Sequence, residues 1–157
     1  MHLMNAGAAS YPDGWQGYNA CCSYDRSSWF RVPSSYTPED GKFTIRHTPE
    51  SNSAYYAYFA PFTLEQHMDL VSRCQRSDRV RLEVLGTTLD GHDLDLLVLG
   101  DEAPHKKKVW MIARQHPGES MAAWFAQGAL ARLTDRCCAL LRPPASSWQL
   151  VQAAART

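Results

Sequence analysis

No apolar run in the 157 residues approaches the roughly 18–20 needed to cross a bilayer. Charge of one sign is missing too. Sixteen Lys and Arg stand against sixteen Asp and Glu, a formal net charge of +0, which removes the usual electrostatic case for nucleic acid or an anionic membrane. Met1-His2-Leu3-Met4-Asn5 has neither the basic start nor the apolar stretch of a signal peptide, so cytoplasmic is the simplest reading. No internal repeat is visible. No Cys-x-x-Cys spacing occurs, which argues against a cysteine zinc cluster. Of the five cysteines, Cys21-Cys22 and Cys137-Cys138 are adjacent pairs, and neighbours make only strained disulfides. They read as reduced thiols filling apolar space, with a redox or metal role as the alternative.

What the sequence does have is material for a core. Hydrophobic content is 45% against 20% charged, enough for one domain or two small or partial ones. Residues 1–61 are rich in aromatics, Ser, Pro and Gly. Turn signals at Tyr11-Pro12-Asp13-Gly14 and Glu39-Asp40-Gly41 punctuate short candidate strands at Tyr18–Tyr24, Trp29–Val32, Phe43–His47 and Ala54–Phe59. Leu3-Met4-Asn5 reads as the end of another. An antiparallel β domain is expected, short of material at its start.

At Pro61-Phe62-Thr63 the period changes. Thr63-Leu64-Glu65-Gln66 fits a capping box, and Leu64, His67, Met68, Val71 and Cys74 follow at helical spacing, which predicts a helix over 64–75. From Val80 the period is two: Val80, Leu82 and Val84, then Leu94, Leu96 and Val98, around the hairpin signal Asp90-Gly91. The polar stretch Asp101 to Lys108 leads into Val109–Ala113, an apolar run expected to be a strand covered on both faces, as in a mixed α/β sheet. A helix is predicted over 119–133, with Met121, Trp124, Phe125 and Gly128 on one face that Leu133 continues. No further strand is expected in the tail from Cys137 onwards.

Between that strand and that helix stand His116 and Glu119, three positions apart across Pro117-Gly118. An imidazole and a carboxylate are both good ligands for a divalent ion such as zinc. Pro and Gly suit a sharp turn that lets both side chains point one way. His-x-x-Glu alone also fits a helix-start ion pair or a solvated loop. Arg114 fits a structural pair at the strand end or a contact to substrate. His67 and His92 are expected to be solvated, and His47 to end a strand without a ligand role. Asp93 and Asp95 are expected to alternate outward, Lys106-Lys107-Lys108 to be a solvated charge run, and Trp124 and Phe125 to be core residues.

Ala113-Arg114-Gln115-His116-Pro117-Gly118-Glu119-Ser120 resembles the first zinc motif of the M14 zinc metallocarboxypeptidases, in their cytosolic carboxypeptidase-like (nna1-like) subgroup. Tyr11-Pro12-Asp13-Gly14-Trp15, Ser23-Tyr24-Asp25-Arg26, Trp29-Phe30-Arg31-Val32-Pro33 and Tyr58-Phe59-Ala60-Pro61-Phe62 are similar to that subgroup's amino-terminal β domain. Leu85-Gly86-Thr87 and Asp90-Gly91 are similar to the start of its catalytic domain. The resemblance covers roughly residues 3–135.

The resemblance implies an α/β fold, the start of a mixed-sheet carboxypeptidase domain preceded by a partial antiparallel β-sandwich-like domain. It implies zinc as cofactor, His116 and Glu119 as its ligands, and peptide or protein carboxy termini as partners, with no nucleic acid and no membrane. The division expected is a partial β domain at 1–61, a linking helix at 62–79, the start of the catalytic domain at 80–135 and an atypical tail at 136–157. The family's second zinc His, its general-base Glu and its substrate-carboxylate Arg match nothing in this chain, so no catalytic residue is assigned. A truncated or frame-disrupted copy with little or no activity is expected. The alternatives are a non-catalytic protein-binding β module presenting Trp15, Tyr18, Trp29 and Phe30, or a non-functional remnant.

Overall fold

The computed structural model describes residues 1–100, 107–135 and 147–151, the last as backbone only. Lys106, Cys137, Cys138, most of the Asp101–Lys108 stretch and most of the tail lie outside the described residues. The chain divides into two compact units, Met1–Pro61 and Phe62–Thr157.

The first unit holds six short strands: β1 (His2–Leu3), β2 (Cys21–Ser23), β3 (Phe30–Arg31), β4 (Ser34–Thr37), β5 (Lys42–Ile45) and β6 (Tyr55–Ala57). They form two antiparallel three-stranded sheets, ordered β1-β5-β4 and β3-β2-β6. Phe43 and Ile45 alternate with Lys42 and Thr44, so β5 turns one face inward. With Ala6, Ala20, Cys22 and Val32 they make the core. Strand β4 was not expected. Its Ser-Ser-Tyr-Thr sequence lacks apolar alternation, and its place is set by pairing with β5, Ser34 opposite Ile45 through Thr37 opposite Lys42. Gly41 ends a 3₁₀ turn at Pro38–Asp40 with φ +57°, and Gly7 packs so closely that a Cβ there would lie 2.8 Å from Gly41 Cα.

The aromatic surface expected from Trp15, Tyr18, Trp29 and Phe30 loses two members. Trp15 and Tyr18 pack against the core, with the Trp15 ring 4.7 Å from Phe43 and its Nε1 donating to the Ala6 carbonyl at 3.0 Å. An indole buries a large apolar area once its single donor is satisfied.

The second unit contains α1 (Leu64–Cys74), β7 (Val80–Thr87), β8 (Asp93–Leu99), β9 (Lys108–Ile112), α2 (Ser120–Thr134) and β10 (Ser147–Val151). Helix α1 starts as the sequence predicts. The Gln66 amide N–H donates to Thr63 Oγ1 at 3.2 Å, and Gln66 Oε1 accepts from the Thr63 N–H at 2.7 Å. Gly91 turns the β7–β8 hairpin at φ +77°. The sheet runs β7-β8-β10-β9 and is mixed: β7/β8 and β8/β10 are antiparallel, β10/β9 parallel.

The core joins Phe62, Leu70, Val71 and Cys74 to Leu97 and Leu99 of β8 and to Ala123, Leu130 and Leu133 of α2. Each leucine buried here is worth roughly 1.5–3 kcal/mol of transfer free energy.

Three expectations are corrected. Strand β9 is not covered on both faces: Trp110 and Ile112 are 58% and 61% exposed, while Met111 packs on the core. Among the described residues β9 stands at the sheet edge, and its outer face has no covering element. Helix α2 does not pack through Met121, Phe125 and Gly128. It buries Ser120, Ala123, Ala126, Leu130 and Leu133, leaving Phe125 63% exposed, because the alanines let the helix approach closely. Trp124 stays at the core margin, its ring edge-on to Phe62 at 5.0 Å. Finally, the tail contributes a strand: β10 lies between β8 and β9.

Candidate metal centre

Strand β9 brings the chain to Ile112, and buried Ala113 anchors its end. The next residue makes the turn. Arg114 has φ +54°, a left-handed conformation that is unusual for a side chain with Cβ. Its guanidinium donates from Nη1 to the Phe62 carbonyl at 2.7 Å and from Nε to the Pro117 carbonyl at 3.1 Å. Gly118 was expected to supply the turn's conformational freedom. It has no left-handed φ, and a Cβ there would meet nothing within 4 Å. The demanding position is Arg114, and its partners are main-chain carbonyls rather than a carboxylate.

Beyond the turn, the Glu119 amide donates to the His116 carbonyl at 3.1 Å, closing a short loop that delivers Glu119 as the N-cap of α2. The Glu119 side chain makes no cap hydrogen bond. His116 and Glu119 are both exposed, and among the described residues neither side chain is held by a hydrogen bond or ion pair. The helix-start ion pair is therefore not what these side chains do, and their exposure fits either the solvated loop or a cation site. An imidazole and a carboxylate on one four-residue turn, both uncommitted, suit a divalent cation as a donor set. The carboxylate charge also offsets the positive end of the α2 dipole, which alone would repel a cation. Among the described residues no group of three or more His, Cys, Asp or Glu side chains is arranged to hold a metal. The fit is that of two ligands.

Elsewhere the sequence expectations need correction. His67 is not solvated. It is 6% exposed, and its Nε2 lies 2.8 Å from Asp95 Oδ2. Asp95 does not point outward, because Asp95, Leu97 and Leu99 share the face of β8 that packs against the core. That register was readable, but Leu96–Leu99 is apolar on both faces and hides it. Near this pair, Leu64, Met68, Gly91, His92 and Asp93 complete a cavity of about 340 Å³. In the first unit His47 is held by two phenols, Tyr24 at 3.2 Å from Nε2 and Tyr56 at 2.9 Å from Nδ1, which leaves it no ligand role. Cys22 sits against this group, and burial pushes its thiol above the ordinary range. Cys21, Cys22 and Cys74 are all free and buried, the apolar fillers expected.

Comparison with known proteins gives this geometry a lineage. The profile of the zinc carboxypeptidases (peptidase M14) matches residues 64–139, the segment that carries His116 and Glu119. The profile of the cytosolic carboxypeptidase N-terminal domain matches residues 1–59. The chain belongs to the M14 zinc carboxypeptidase family, on its cytosolic carboxypeptidase-like branch. It is 48% identical over 133 residues to an uncharacterized protein of Zymomonas mobilis, covering 85% of this chain and 34% of that one. It is 29% identical over 98 residues to human cytosolic carboxypeptidase 2, which covers 56% of this chain and 11% of that one. The metallo-carboxypeptidase of Burkholderia cenocepacia superposes with a TM-score of 0.87 at 42% identity, over 96% of this chain and 41% of that one. The metallo-carboxypeptidase of Pseudomonas aeruginosa, solved in complex with (2-guanidinoethylmercapto)succinic acid, gives 0.83 at 38%, with 96% and 41% covered. The chain thus spans about a third of the length of its Zymomonas relative. Among the described residues no helix is long and apolar enough to cross a membrane.

Proposed function

We propose that His116 and Glu119 are two of the protein ligands of a zinc centre. The activity they serve is zinc-dependent removal of carboxy-terminal residues from peptides or proteins. The observation that carries this reading is the pair itself: uncommitted imidazole and carboxylate, three residues apart on the turn between β9 and α2, within the segment matched by the zinc carboxypeptidases. Zinc bound there would supply Lewis-acid polarisation of the scissile carbonyl and a lowered pKa for water. This chain's own part is to hold the ion from one side, His116 through a ring nitrogen and Glu119 through its carboxylate.

The substrates are peptide or protein carboxy termini, the compartment is the cytosol, and neither nucleic acid nor membrane is a partner. The division is a partial β domain at 1–61 and the start of the catalytic domain from 62 onward, with α1 in its core and residues 147–151 a strand of its sheet. Two ligands hold zinc weakly, since working sites use three or four.

The test is zinc competition against a chromophoric chelator with the purified chain, alongside H116A and E119Q. Weak binding lost in both variants is the expected result. Binding indifferent to both variants would overturn the ligand assignment.

A further inference from the structure

We infer that Arg114 is the positioning residue of the zinc half-site, the group that fixes the turn on which His116 and Glu119 are presented. The consequence for zinc rests on the function proposed above, whereas the consequence for the turn stands without it.

Four observations converge on Arg114. It carries the turn's left-handed conformation at φ +54°, where its Cβ is unfavourable and glycine would be at ease. A strained residue persists only when its surroundings over-determine it. The surroundings here are two main-chain carbonyls, Phe62 O at 2.7 Å and Pro117 O at 3.1 Å, both reached by one guanidinium. Phe62 is a core residue directly before the α1 cap, so the first bond ties the turn to fixed structure. Pro117 lies between the two ligands, so the second bond reaches the turn at its centre. The ligand side chains themselves are held by nothing else among the described residues. Their relative placement depends on the backbone from Ala113 to Ser120, and the guanidinium bridges the middle of that backbone to the Phe62 carbonyl.

The planar fork of donors explains why an arginine stands here. It meets two carbonyls at once, whereas one ammonium is a point charge on a flexible stem. Arg114 thus acts as a positioning residue, through the carbonyls of Phe62 and Pro117. Its loss would let the His116–Glu119 separation vary, and among the described residues no third donor is grouped with them to restore it.

The experiment uses the 157-residue chain and the variants R114G, R114A and R114K, with L133A as a control for general destabilisation. Two readouts are taken: site-resolved hydrogen exchange of the Glu119 amide, which bonds to the His116 carbonyl, and zinc competition against a chelator. R114G relieves the backbone strain and removes the fork. R114K keeps a cation and disturbs folding least. Expected are at least about tenfold faster Glu119 exchange in R114G and R114A, a smaller acceleration in R114K, and about tenfold weaker zinc binding, the usual range for residues that support metal ligands. L133A should change neither readout while the chain remains folded.

Unaltered Glu119 exchange in R114G and R114K overturns the proposal. So does zinc binding that H116A abolishes and the Arg114 variants leave unchanged. If exchange depends on Arg114 but zinc binding ignores H116A, the positioning of the turn holds and the zinc assignment fails.

Discussion

His67 Nε2 and Asp95 Oδ2 meet at 2.8 Å, joining the first turns of α1 to β8 at the wall of the cavity beside them. Removing one partner strands the other in a buried site, and a stranded polar group costs more than the bond was worth. D95A is expected to lower stability by about 1–3 kcal/mol. H67L/D95L, which removes both groups, should recover much of that. Urea denaturation of the single and double variants checks it. A double variant as unstable as D95A would show that packing, not the polar pair, sets the cost.

Asp25 gives the first unit its clearest acid sensitivity. Its carboxylate accepts from the Ser28 amide at 2.7 Å and the Ser27 amide at 2.8 Å, which hold its pKa at about 2 against an ordinary 3.8. The folded pKa is depressed, so the stabilising contribution is present above 3.8 and is lost as pH falls towards 2. D25N removes the titration. The gap in urea midpoint between wild type and D25N should therefore be widest above pH 4 and close as the acid limb is descended. A gap independent of pH would contradict this assignment.

Helix α1 depends on its cap. T63A removes the acceptor for the Gln66 amide and breaks the reciprocal pair. A loss of about 1 kcal/mol is expected, typical of N-cap deletions. T63S, which keeps the hydroxyl, should retain most of the stability. Thermal unfolding followed by far-UV circular dichroism distinguishes the two.

Cys22 and Cys74 are buried thiols pushed above the ordinary range by desolvation. The thiolate is the reactive form, so neither should react while the chain is folded. Site-resolved mass spectrometry after brief iodoacetamide treatment at pH 8 should find both unmodified in the native chain and modified in urea. Labelling of Cys22 in the native chain would show that its sheet opens readily.

Local chemistry was legible wherever a few adjacent residues decide the outcome. The capping box placed α1 to within a residue, Asp90-Gly91 marked the hairpin, and the strand–turn–helix around His116 and Glu119 followed from a change of period. What stayed hidden was set by distant partners. Strand β4 is polar and exists through its pairing with β5. The buried face of α2 is chosen by alanines, which a hydrophobicity pattern ranks below Met121 and Phe125. Asp95 looked solvated until its face of β8 was known. Arg114 looked like a charge at a strand end, because nothing in the sequence says that Phe62 lies beside it.

Strand β10 sits between β8 and β9 although it follows both in the chain. On a ribosome the β7–β8 hairpin emerges able to pair at once, but β9 emerges without a neighbour. It must wait through the whole of α2 until residues 147–151 arrive to join both sides of the gap. The gap between β8 and β9 closes late, and the turn bearing His116 and Glu119, which hangs from the end of β9, then rests on a paired strand as well as on the bond from Arg114 to Phe62.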